Sequence, residues 1–209
     1  MKILAHRGFW NTLEEKNSLK ALNRAFQNGY GIETDIRDYL GELVISHNIP
    51  DSKSPKLEEL LSIYSEEKYD LPLALNVKSD GIQSILKKIL IKFNISNYFM
   101  FDMSIPEQVV YIKEGFRTFT RQSEFEKIPV MYSECEGVWI DEFKQPWISE
   151  EILINHLKSG KKIGIISSEI HGNSNVKLWN ILKNIVAFDN LMLCTDMPKQ
   201  AEEFFYDQN

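Results

Sequence analysis

Two histidines, two alternating carboxylates and a His-Arg-Gly triplet are gathered in the first 47 residues of this 209-residue chain. His6, Arg7 and Gly8 end one apolar run, Glu33 and Asp35 alternate along the next, and His47 ends a third. In an extended strand side chains alternate between faces, so Glu33 and Asp35 point one way while Ile32, Thr34 and Ile36 point the other. Neighbouring carboxylates repel one another unless they are solvated or share a cation. They therefore either face water or hold a hard divalent ion such as Mg2+ or Ca2+ through oxygen ligands. Imidazoles ordinarily titrate near pH 6.5, so a pair of them can supply both a base and an acid at neutral pH.

Residues this far apart act together only if the elements carrying them converge. Buried strands are expected at Lys2 to His6, Gly31 to Arg37, Pro72 to Val77, Tyr98 to Met103, Phe116 to Thr120, Gly137 to Asp141, Lys162 to Ser167 and Asn190 to Thr195. A turn at Gly41 and an appended strand, Leu43 to His47, bring His47 back. Helical spacing fills the intervals at Ser18 to Asn28, Leu57 to Tyr64, Ile82 to Phe93, from Pro106, and at Ser149 to Ser159, Val176 to Val186 and Pro198 to Phe205. Eight strand-helix units imply parallel pairing and an α/β fold, a (β/α)8 TIM barrel in a single compact domain over residues 1–209. A doubly wound open sheet is the alternative. The fifth unit is the weakest, because residues 122–127 leave room for at most a turn or two of helix before Pro129.

Composition narrows the partners. With 24 Lys and Arg against 30 Asp and Glu, the net charge is -6, which disfavours nucleic acid as the main ligand and leaves a small anionic substrate open. No signal-peptide core precedes His6 and no apolar run is long enough to span a bilayer, so a cytoplasmic location without stable membrane association is expected. Cys135 and Cys194 lack metal-type spacing and read as small buried side chains.

In a barrel of this class, chemistry sits at the C-terminal ends of the strands. His6 and Arg7, Glu33 and Asp35, Asn76 and Lys78, and Asp102 end the first four strands. Thr120 and Arg121, Asp141, Glu169 and His171, and Thr195 and Asp196 end the others. Polar residues are thus expected at one end of the fold. Glu169, His171 and Gly172 form a second candidate cluster, and Trp10, Trp139 and Trp147 are either a substrate wall or ordinary packing.

These residues carry a resemblance. The chain resembles the glycerophosphodiester phosphodiesterase family, whose pattern runs His-Arg-Gly, Glu-Asn-Ser/Thr, Glu-x-Asp, His-Asp, Glu-x-Lys and Thr-Asp-x-Pro. Here these read His6-Arg7-Gly8, Lys16-Asn17-Ser18, Glu33-Thr34-Asp35, His47-Asn48, Asn76-Val77-Lys78 and Thr195-Asp196-Met197-Pro198. Lys16 replaces a glutamate for which Glu15 is a candidate stand-in. Asn76 replaces a carboxylate metal ligand, a charge that Asp102 or Glu169 is a candidate to restore. The segment between His47 and Asn76 is shorter than the family's usual capping insertion.

The resemblance implies a phosphoric diester hydrolase acting on a small glycerol- or sugar-phosphodiester. Glu33, Asp35 and Asn76 would bind the divalent cation, while Arg7, Lys78 and Arg121 would meet the phosphoryl oxygens. His6 and His47 would move the protons. Attack by an adjacent substrate hydroxyl, giving a cyclic phosphate, and attack by water are both compatible with these residues. A barrel that binds phosphodiesters without cleaving them is a further reading, motivated by Lys16 and Asn76.

Overall fold

The structure is a computed structural model, and it describes residues 1–206. The chain divides into two compact units, residues 5–118 and residues 1–4 with 119–209. Strand β1 (Lys2–His6) begins in one and ends in the other.

In the unit of residues 5–118, the elements after β1 are α1 (Leu19–Gln27), β2 (Gly31–Tyr39), β3 (Glu42–Ile45), α2 (Leu57–Glu66), β4 (Leu73–Val77), α3 (Gln83–Lys92), β5 (Tyr98–Phe101) and α4 (Ile105–Lys113). Helix α1 starts where the Ser18 hydroxyl accepts the Ala21 N–H at 3.2 Å, and it buries Ala21, Leu22, Ala25 and Phe26 along the stripe expected from their spacing. Parallel pairing sets Asp35 of β2 beside Asn76 of β4 and Glu33 beside Ala74, so Asn76 lies on the face that carries both carboxylates. The antiparallel hairpin of β2 and β3 pairs Ile36 with Ile45, which returns the chain toward His47.

In the other unit, β6 (Phe119–Gln122), β7 (Gly137–Ile140), α5 (Glu150–Lys158), β8 (Lys162–Ile166), α6 (Val176–Lys183), β9 (Leu191–Thr195) and α7 (Pro198–Tyr206) follow in turn. Strands β6 to β9 pair in parallel, each with its neighbour in sequence. Strands and helices therefore alternate in the order of a (β/α)8 barrel, the class expected from the sequence.

Two details depart from the sequence pattern or complete it. The strand expected at Phe116 to Thr120 starts later, at Phe119. The reason is the end of α4: Gly115 takes φ +78°, its N–H reaches the Ile112 carbonyl, and the Phe116 N–H returns to Tyr111. The Phe116 and Tyr111 rings lie 4.9 Å apart, so Phe116 closes a helix instead of opening a strand. After β6, the Ser123 hydroxyl accepts the N–H groups of Phe125 and Glu126, and no α-helix separates β6 from β7. The weak fifth unit is thus a turn. Cys135 and Cys194 are buried and not disulfide-bonded, and no helix among the described residues is long and apolar enough to cross a membrane.

Candidate active site

Within the unit of residues 5–118, polar side chains collect at the C-terminal ends of the strands. Glu33 and Asp35 are only 2% and 1% exposed, which excludes the possibility that they face water. Burial pushes the Glu33 carboxyl well above its ordinary range, the Asp35 charge pushes it further, and Arg7, Lys78 and the Asn76 amide pull it back. The Asp35 Oδ2 atom accepts the Asn17 amide at 2.9 Å and lies 3.3 Å from Arg7 Nε. Its Oδ1 atom lies 3.7 Å from the Lys78 ammonium.

The His-Arg-Gly triplet is a turn locked onto α1. Arg7 and Gly8 take φ +57° and +91°. The Arg7 N–H reaches the Glu33 carbonyl, and the Phe9 N–H reaches the Ala21 carbonyl. A Cβ on Gly8 would stand 2.7 Å from the Ala21 carbonyl carbon and the Leu22 nitrogen, so no larger residue fits without a shift. Asn17, also left-handed at φ +61°, donates its N–H to the Arg7 carbonyl and accepts the Thr34 hydroxyl at 2.8 Å. Its side chain thereby joins the turn to β2. His6 is buried, with Nε2 3.8 Å from Glu33 Oε2.

His47 is exposed and follows the hairpin, where the Ser46 N–H donates to the Asp35 carbonyl. Its Nδ1 lies 3.1 Å from the Asn48 amide oxygen, which can only accept, so Nδ1 carries the proton and Nε2 the free lone pair when the ring is neutral. Arg7, Lys16, Asn17, Ser18, His47 and Asn48 line one cavity of about 450 Å³.

The third strand of the unit completes the group. Asn76 donates Nδ2 to Glu33 Oε1 at 3.3 Å, and the Lys78 ammonium lies 3.1 Å from Asp102 Oδ2. Within this group, Glu33 Oε2, Asp35 Oδ1 and Asn76 Oδ1 are buried oxygens without a hydrogen-bond donor, and Arg7 Nε is a buried donor without a hydrogen-bond acceptor. Buried acceptors normally find a donor. Hard oxygen atoms left over in this way fit a hard divalent cation. Among the described residues no three His, Cys, Asp or Glu side chains are grouped to hold a metal ion, so a cation here requires the Asn76 amide oxygen.

The remaining candidates have other partners. Glu15 does not stand in for the glutamate replaced by Lys16: it is held by Arg24 at 2.8 Å, Lys20 at 3.0 Å and the Asn11 N–H, which lower its pKa to about 2. Lys16 lies over the Trp10 ring at 4.5 Å. Glu169 accepts the Ser167 and Thr195 hydroxyls and the Asp196 N–H, so its charge is absorbed within the unit that carries it. Arg121, in that same unit, pairs with Glu126 at 2.8 Å. His171 Nε2 meets Asp141 Oδ1 at 2.7 Å, and this hydrogen bond raises the imidazole pKa against the opposing effect of burial. Trp139 is buried packing, its ring filling the space a side chain at Gly164 would need.

Sequence reasoning passed over Arg37. Its guanidinium donates from Nη1 to the Lys78 carbonyl at 3.0 Å and from Nη2 to the His47 carbonyl at 3.1 Å. The signal was present, since Arg37 continues the period-two line of Glu33 and Asp35.

Comparison with solved structures finds this fold over nearly the whole chain. A phosphodiesterase from Oleispira antarctica, in complex with the product sn-glycerol-3-phosphate, superposes with a TM-score of 0.73 at 17% identity, covering 99% of this chain and 97% of that one. Glycerophosphodiester phosphodiesterases from Parabacteroides distasonis and Agrobacterium tumefaciens give TM-scores of 0.71 and 0.67. Both are 16% identical to this chain and cover 98% of it, and the matches span 96% and 98% of those proteins, respectively. No family model and no curated protein sequence matches the chain. The chain shares the fold of these phosphodiesterases.

Proposed function

We propose that this chain is a phosphoric diester hydrolase of the glycerophosphodiester phosphodiesterase type, cleaving a small glycerol- or sugar-phosphodiester with His6 and His47 as acid and base. The observation that carries the reading is the set of three donorless buried oxygens on Glu33, Asp35 and Asn76, placed beside Arg7 and Lys78. The whole-chain likeness to phosphodiesterases, one of them complexed with sn-glycerol-3-phosphate, supports the same substrate class.

In this mechanism Glu33, Asp35 and Asn76 hold a divalent cation, Mg2+ or Ca2+. When bound, that ion neutralises charge developing on the phosphoryl oxygens. Arg7 and Lys78 orient the diester and supply the remaining positive charge, with Asp35 and Asp102 fixing their positions. The neutral His47 ring, held through Nδ1 by Asn48, presents Nε2 to take the proton of the nucleophile, which is water or a neighbouring substrate hydroxyl. His6, whose Nε2 lies 3.8 Å from Glu33 Oε2, acts as the acid and gives a proton to the departing alkoxide. One P–O bond forms as the other breaks. An intramolecular hydroxyl gives a cyclic phosphate, and water gives a phosphomonoester.

The test is turnover of bis(p-nitrophenyl) phosphate and of glycerophosphodiesters, with chelator and then with added Mg2+ or Ca2+, for the native chain, His6→Ala and Glu33→Ala. Cation-dependent cleavage lost in both variants supports the reading, and phosphorus NMR identifies a cyclic or open product. Calorimetric binding of a diester without turnover under either cation overturns it. That result favours instead the non-catalytic phosphodiester-binding barrel, for which the amide at Asn76 is the motivating observation.

A further inference from the structure

Arg37 ties two parts of the proposed site together through main chain alone. It lies on the β2 face that carries Glu33 and Asp35, two residues beyond Asp35. Its guanidinium meets two carbonyls, that of Lys78 just past β4 and that of His47 past β3, with Nε 3.4 Å from the second. Neither acceptor belongs to a carboxylate. The Lys78 side chain reaches Asp35 and Asp102, and the His47 ring opens on the cavity shared with Arg7. The loop bearing His47 is otherwise an exposed segment, and its Ile49 is 90% exposed. Its anchors include the Ser46 N–H on the Asp35 carbonyl, the Ser46 hydroxyl on the Asn48 carbonyl, the Ile45 N–H on the Pro55 carbonyl and the Arg37 fork on His47.

A planar guanidinium with several donors can hold two carbonyls at a fixed separation, whereas an ammonium acts from a single point. We propose that Arg37 is the positioning residue for His47. By clamping the His47 and Lys78 carbonyls together, it sets the distance from the imidazole to the phosphate cradle, while Asn48 sets the ring tautomer. The proposal rests on the reading of His47 as the proton-transfer residue. It assigns Arg37 no contact with substrate. A displacement of about 1 Å in a catalytic group lowers rate on the order of a hundredfold, so loss of the clamp acts on kcat and leaves substrate binding by Arg7 and Lys78 largely in place.

The experiment compares the native chain with Arg37→Ala and Arg37→Lys by two readouts. In steady-state diester cleavage, Arg37→Ala is expected to lower kcat by about ten- to a hundredfold with KM within about threefold, and added guanidinium should restore part of the rate. Arg37→Lys should remain impaired, because a single ammonium lacks the rigid two-nitrogen fork that sets the spacing of the two carbonyls. In nitrogen-proton correlation spectra of the four histidine rings, the His47 signals should shift or broaden while those of His156 and His171 stay in place. An unchanged His47 ring with unchanged kcat overturns the proposal, as does a loss confined to KM or a displacement of all four rings together. The spectra need no turnover. A native chain that cleaves nothing overturns the phosphodiesterase reading, while the His47 ring signals still decide whether Arg37 positions it.

Discussion

Asn76→Asp puts a third carboxylate where the structure holds an amide, and its consequences can be worked from one contact. The Asn76 Nδ2 atom donates to Glu33 Oε1 at 3.3 Å, and in the variant an anionic oxygen takes its place. Two unit charges at that separation repel by about 5 kcal/mol at an effective dielectric near 20. Glu33 is already pushed up by burial and by Asp35, so proton uptake relieves part of the repulsion. A net loss of about 2–4 kcal/mol in stability without added cation is expected, a large share of the stability of an ordinary domain. A dication held among Glu33, Asp35 and the new carboxylate reverses the sign, since the repulsion becomes ligation. Ligand binding stabilises a fold in proportion to the logarithm of its concentration over Kd. Differential scanning calorimetry across a Ca2+ or Mg2+ titration reads both effects. The variant should melt below the native chain in chelator and gain more from the cation. Equal cation-dependent shifts in the two proteins would show that residue 76 does not face a cation site, and the ligand set proposed above would fall.

Gly8→Ala combines a left-handed backbone with a Cβ 2.7 Å from the main chain of α1, so urea unfolding should show a loss of about 3–5 kcal/mol. A loss under about 1 kcal/mol would mean that the His-Arg-Gly turn relaxes freely and does not depend on close packing against α1. His171 has a pKa raised above its unfolded value by the hydrogen bond to Asp141, so its contribution is complete below about pH 6.5 and disappears as pH rises through the folded pKa. The stability difference between the native chain and His171→Gln should therefore be greatest near pH 6 and shrink toward pH 9. A difference that is flat or that grows with pH refutes the pairing.

Much of the candidate site was legible because short motifs and strand periodicity act at the same scale. Alternation alone put Glu33 and Asp35 on one face, and the strand-helix order placed Asn76 and Lys78 at the end of the next strand in the sheet. What was hidden lies in contacts that spacing does not encode. The extent of burial decided against solvated carboxylates, and no count of neighbours in sequence gives that. Glu15 looked available beside Lys16, yet Arg24, one turn and more along α1, holds it. Arg37 was passed over because its partners are carbonyls, which every residue has, so no pattern of side-chain types marks them. The shift of β6 has the same origin: Phe116 is a good strand residue, but the preceding glycine lets it seal α4.

The unit of residues 5–118 carries several unfavourable features at the proposed site, although Leu40, Lys68 and Asn94 take positive φ outside it. Arg7, Asn17 and Asp102 all take positive φ without being glycine, and each such residue costs on the order of 1–3 kcal/mol. Glu33 and Asp35 are buried side by side, with one oxygen of each lacking a donor. A chain selected for stability alone would replace these carboxylates with apolar side chains and relax the turns. Arg7, Lys78 and Asn17 offset part of the penalty, and their arrangement shows how: each reaches Asp35, and Arg7 and Lys78 also temper Glu33 through their charge. They leave Glu33 Oε2, Asp35 Oδ1 and Asn76 Oδ1 without donors, three oxygens drawn from two adjacent strands. Each unpaired buried acceptor is destabilising, and these three belong to side chains on the paired strands β2 and β4. Unpaired oxygens on Glu33, Asp35 and Asn76, with His6 Nε2 3.8 Å from one of them, are the reason to read this group as the proposed cation and phosphate site and not as a network that serves the fold alone.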